Sequence, residues 1–167
     1  MQTQNSQVAQ GLQIIEALDF ERLLNRLQSP APRGKEWTAQ QAIEADKWYR
    51  RFLILSLKYP DMSLVPSAEV DELWHLHILD MKRYETETVQ IFGHVFYHKP
   101  NFNEGDLRPQ IEKTHELLLA EFGESFDNKT FTATCTSDCS CRPNITMKPR
   151  ATATCDSMCN GTGCNSN

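Results

Sequence analysis

From Val8 to Phe122 apolar side chains recur at intervals of three and four residues, the spacing of one helix face, and no stretch alternates as a half-buried strand would. The pattern predicts four main helices. The first covers about Val8 to Gln28, with Leu12, Ile15, Phe20, Leu23, Leu24 and Leu27 as its inward stripe and Asp19 placed to cap a restart within it. Pro30 and Pro32 end it. The second begins at Thr38, whose hydroxyl and the Gln41 amide have the spacing of a capping box; Ala42, Ala45, Tyr49, Phe52 and Leu53 face inward and Tyr59-Pro60 stops it. The third runs from a Ser67 cap to about Phe92, with Glu69, Asp71 and Glu72 in its positive first turns and Gly93 at its end. The fourth spans about Leu107 to Phe122 and closes on Gly123. The expected fold is an all-α helical bundle.

The pattern stops abruptly. All fifteen aromatic residues lie at or before Phe131, and all six cysteines follow it. Residues 1–131 therefore read as a helical domain, and 132–167 as a Cys/Thr/Ser/Asn-rich tail with too few large apolar side chains to fold on burial alone. The tail repeats itself, Thr132-Ala133-Thr134-Cys135 returning as Thr152-Ala153-Thr154-Cys155. Its thiols, Cys135, Cys139, Cys141, Cys155, Cys159 and Cys164, lack the Cys-x2-Cys knuckles of ordinary zinc fingers. They suit a flexible thiolate cluster for Cu(I) or Zn(II) in a reducing compartment, disulfides in an oxidising one, or no fixed structure at all.

Composition narrows the function by exclusion. A net charge of −5 argues against a nucleic-acid partner that must be met by neutralising phosphates. No apolar run approaches the length of a membrane span, and the first residues lack a secretory signal, so cytoplasmic residence is expected. No phosphate-cradling glycine loop, nucleotide fingerprint or nucleophile elbow is present, so no nucleotide cofactor is expected.

The candidate chemistry lies in the third helix. Asp71 and His75 are four apart and share a face, so the carboxylate can hold the imidazole and fix its tautomer. His77 sits about 200° round from His75 on a straight helix. It falls with Val70, Leu73, Trp74, Met81, Tyr84, Thr88 and Phe92 on the inward stripe. His115 lies on the apolar side of the fourth helix and His98 in the loop after the third. Asp71, His75, His77 and His98 are thus the candidate ligands of a transition metal, zinc, copper or iron, with Trp74, Tyr84 and His115 as supporting residues. The competing reading makes His77 and His115 core histidines hydrogen-bonded to a tyrosine, carbonyl or carboxylate, and Asp71/His75 an ordinary exposed pair.

The run Val70-Asp71-Glu72-Leu73-Trp74-His75-Leu76-His77-Ile78-Leu79, followed by Tyr84, Phe92-Gly93 and His98, resembles the glycine-rich domain-containing protein-like family, whose hallmark is an Asp-x-x-Trp-His-x-His-x-Leu core followed by a Tyr. The likeness covers about Tyr49 to Pro100. It implies that Asp71, Trp74, His75, His77 and Tyr84, and with them His98, are the family's characteristic positions. Plant members join this domain to a glycine-rich tail and are linked to development and stress responses. This chain departs from that pattern in its tail, rich in cysteine and poor in glycine, and in having no counterpart of the RNA-recognition motif proposed for some plant members. Three functions fit the residues: a metal-binding module with a thiol-rich tail, a metal-dependent enzyme of unassigned substrate, or a protein-interaction domain whose Trp-His-x-His motif is structural.

Overall fold

The capping box forms at Thr38: its Oγ1 accepts from the Gln41 backbone N–H at 3.2 Å, and the Gln41 Oε1 accepts in return from the Thr38 N–H at 2.9 Å. The computed structural model that shows this describes residues 2–98 and 106–126. Among them it contains six α-helices and no strand: α1 Gln2–Ala17, α2 Glu21–Gln28, α3 Ala39–Lys58, α4 Ala68–Leu79, α5 Met81–Phe92 and α6 Arg108–Phe122. The all-α expectation holds. The chain divides between Phe126 and Asp127, and the tail with its repeat and six thiols lies outside the described residues.

Helix α3 is the centre. It packs against α1, α2, α4 and α6, and Tyr49, Phe52, Leu53 and Leu55 on it are fully buried. Ile15, Phe20, Val70, Leu73, Ile91 and Leu118 close the core round it. At Gly11 a Cβ would stand 2.6 Å from Cδ2 of Leu57 and 3.0 Å from the Ile91 carbonyl, so α1 approaches α3 and α5 closely only because that position is glycine.

Two of the four predicted helices are each broken in two. The first ends at Ala17, where Arg50 of α3 takes over the loose carbonyls: its Nη1 donates to Ile15 O at 2.6 Å and Glu16 O at 3.2 Å, and its Nη2 to Leu18 O at 2.7 Å. Asp19 Oδ1 then accepts from the Glu21 N–H at 2.9 Å and starts α2, the restart expected there. The predicted helix from Ser67 to Phe92 breaks at Asp80, with no glycine or proline to mark the place. The Asp80 N–H bonds back to the carbonyls of Leu76 and His77, and the chain sets off again as α5.

The break at Asp80 changes what the helix can do. Residues ten apart on a straight helix are separated by roughly 15 Å along the axis. Here Trp74 Nε1 donates to the Tyr84 hydroxyl at 2.9 Å, and His77 Nε2 stands 2.9 Å from Glu87 Oε2, because α5 folds back beside α4. The same turn moves Met81 off the inward stripe, where a straight helix had placed it; the residue is 75% exposed. Tyr84, Thr88 and Ile91 form the buried face of α5.

Candidate metal centre

The site is built on the first turns of α4. Ser67 Oγ accepts from the Val70 N–H, and Asp71 follows where the helix start favours a carboxylate. One turn on, His75 Nδ1 lies 3.6 Å from Asp71 Oδ2, the pairing that the i, i+4 spacing predicts. Gly93 ends α5 in the left-handed conformation (φ 79°) and turns the chain back toward α4.

The returning segment is pinned by aromatic rings. Phe96 stacks on Trp74, with centroids 5.1 Å apart and planes 14° apart, and on Phe92 at 4.6 Å. The Tyr84 hydroxyl accepts from Trp74 Nε1 and donates to the Phe96 carbonyl. Burial pushes the Tyr84 phenol up to about 12, so it stays protonated and remains a donor. Two residues beyond Phe96, the His98 ring meets Trp74 edge-on at 4.5 Å, and its Nε2 lies 3.0 Å from Asp71 Oδ1.

Asp71, His75 and His98 thereby converge. One ligand atom from each lies within 4.8 Å of the other two, and the His75 and His98 ring centroids are 4.7 Å apart. Donors bound to one ion at 2.0–2.2 Å stand roughly 3.0–3.5 Å from each other in octahedral or tetrahedral geometry. The set is thus near ligating distances, and it can hold a metal ion. His75, the most exposed of the three, has the freedom to complete it. The three side chains open onto a cleft of 610 Å³ whose other walls are residues 59–68, Phe96, Tyr97 and Leu107.

His77 points the other way. It is buried, 1% exposed, between the Tyr49 hydroxyl, 3.0 Å from Nδ1, and Glu87, with Phe20 and Tyr84 edge-on to its ring. Glu87 Oε2 stands close to Nε2 but out of line for a hydrogen bond, and with the imidazole proton assigned to Nε2 the Tyr49 hydroxyl is the donor to Nδ1. Burial pushes the Tyr49 phenol well up, which keeps that donor neutral. Burial also lowers the His77 pKa, against the opposing pull of Glu87. The ligand atoms of His77 are not part of the converging group, in keeping with the wide angle between it and His75. His115 sits with Nδ1 2.5 Å from Ser125 Oγ and its ring edge-on to Phe126, and burial lowers its pKa.

Of the expected supporting residues, Trp74 touches the His98 ring and Tyr84 bonds the Phe96 carbonyl two residues before it. Two contributors escaped the sequence: Phe96, which seats His98, and Glu87, the partner of His77. Glu87 carried a signal in its i, i+4 spacing from Arg83, which it pairs at 2.7 Å. No helix among the described residues is long and apolar enough to cross a membrane. Comparison with family models, with curated proteins and with solved structures finds no match to this chain.

Proposed function

We propose that the helical domain is a metal-binding module in which Asp71, His75 and His98 hold a transition-metal ion at the wall of the cleft. The observation that carries this reading is the convergence of those three donors from two separate segments. Two imidazoles and one carboxylate suit zinc, iron(II) or copper, and three protein ligands leave coordination positions free toward the cleft. Trp74, beneath His98, excludes water from one side, and the Tyr84 strut fixes the segment that carries His98, the kind of outer support on which metal affinity depends.

On this reading the part of the Asp-x-x-Trp-His-x-His segment that resembles the glycine-rich domain-containing protein-like family is divided in role. Asp71 and His75 bind, while Trp74 and His77 build the core that presents them. The tail thiols form a second, softer store of metal in a reducing cytoplasm.

The test is the metal content of the full-length protein purified under reducing, chelator-free conditions, measured by elemental mass spectrometry beside Asp71→Asn and His75→Ala. Both substitutions are at partly or well exposed positions, so the fold is expected to survive them. Loss of one equivalent in each variant supports the reading. Unchanged content in both removes it, and leaves the thiols as the metal store.

A further inference from the structure

The chemistry of the cleft narrows what a metal held there would meet. Its described walls carry aromatic and aliphatic side chains, Trp74, Phe96, Tyr97, Met62 and Val65 among them, and its described charged groups are carboxylates, Asp61 and Asp71, with no lysine or arginine among the described lining residues. A divalent ion bound by one carboxylate and two neutral imidazoles leaves a local charge of about +1, to which Asp61, also in the lining, adds a negative charge. Anion recognition ordinarily calls on lysine, arginine or a run of backbone donors; the described lining has neither cation, and at the start of α4, which also lines the cleft, Glu69 and Asp71 already supply the negative charge. The volume of 610 Å³ falls within the range of small-molecule sites.

Resting on the metal reading above, we infer that the cleft takes an uncharged small molecule, with an aromatic or aliphatic body and one nitrogen or oxygen donor that fills a free position on the metal. The donor supplies the bond to the ion, and the body lies between the residue 59–68 segment and Tyr97. Tyr97 is 74% exposed and Met62 48% exposed, so both rim residues present apolar surface that such a body would cover.

The probe pair is imidazole and 4-phenylimidazole, which offer the metal the same nitrogen and differ in an apolar ring. Titration calorimetry on zinc-loaded full-length protein is expected to give 4-phenylimidazole an affinity about tenfold or more above that of imidazole, with inorganic phosphate weaker than either. Met62→Ala/Tyr97→Ala, which alters only the exposed rim, is expected to cut the phenyl advantage several-fold and leave imidazole binding unchanged. Asp71→Asn is expected to abolish binding of both imidazoles. Equal affinity for the two imidazoles, or a preference for phosphate, overturns the inference. The zinc content of the same samples separates the two failures. Zinc retained in an Asp71-dependent equivalent without a phenyl advantage sinks this inference alone, whereas zinc content indifferent to Asp71→Asn sinks the metal reading and this inference with it.

Discussion

Tyr84→Phe is the substitution that most sharply tests how the site is assembled, since it removes one oxygen atom and leaves the ring in place. That oxygen serves two partners: it accepts from Trp74 Nε1 at 2.9 Å and donates to the Phe96 carbonyl. Trp74 is only 5% exposed, so its indole N–H is left buried without a partner, at a cost of about 1–3 kcal/mol. The Phe96 carbonyl belongs to a half-buried residue, so losing its donor costs less than stranding the buried indole N–H. A total of ~2 kcal/mol, set against an unfolding entropy of ~2.1 cal/mol/K per residue over residues 1–126, lowers the thermal midpoint by about 8 °C. Because the same hydroxyl holds the strand of chain leading to His98, zinc affinity is expected to fall roughly 10- to 100-fold. Thermal unfolding followed by circular dichroism and zinc titration calorimetry read the two effects separately. A midpoint shift under 2 °C together with unchanged zinc affinity would refute the argument, because the hydroxyl would then be neither satisfying Trp74 nor holding His98.

Three further outcomes are expected. Arg50→Met removes the donors that cap the end of α1 at Ile15, Glu16 and Leu18, and is expected to cost about 2–3 kcal/mol in urea unfolding; a cost below 0.5 kcal/mol would mean that the break between α1 and α2 does not depend on them. Gly11→Ala forces a methyl against Leu57 and the Ile91 carbonyl and is expected to destabilise by about 1–3 kcal/mol despite the better helix propensity of alanine; a stabilised variant would show that α1 can move away freely. Burial holds the His77 and His115 pKa values below the ordinary 6.5, so the unfolded chain binds more protons than the folded one just below that pH. Stability is therefore expected to fall as pH drops through 6.5, and His77→Gln to flatten that slope; stability that is constant or rising from pH 7 to pH 5.5 would contradict the burial argument. The carboxylates of Glu121, held down by Lys58 and Tyr59, and of Glu124, held down by Arg51 and Lys47, add a separate loss at more acid pH, below their ordinary 4.5.

The sequence was most legible where the determinants are local. Thr38 with Gln41, Ser67 with Val70, and the left-handed glycines Gly93 and Gly123 mark helix ends through neighbours a few residues away, and those ends fall where expected. The breaks at Leu18 and Asp80 were not fully legible. The first is fixed by an arginine more than thirty residues distant, and the second has no local breaker, so periodicity alone runs a straight helix through it. Neither the exposure of Met81 nor the approach of Glu87 to His77 can be placed without the fold-back at Asp80. The site divides in the same way. Asp71 and His75 announce themselves by their i, i+4 spacing, whereas the approach of His98 depends on stacking of Trp74 with Phe96, which no periodicity encodes.

On the metal reading the ion sits on oxygen and nitrogen donors of the helical unit. X-ray absorption at the zinc edge, on zinc-saturated full-length protein under reducing conditions and taken as the difference between the wild type and Asp71→Asn, examines those donors directly. The difference is expected to be a first shell of nitrogen and oxygen at about 2.0–2.1 Å with the outer scattering of two imidazoles. No difference between the two spectra, with sulfur at about 2.3 Å as the first shell of both, would overturn the metal reading and leave the zinc on the cysteine tail.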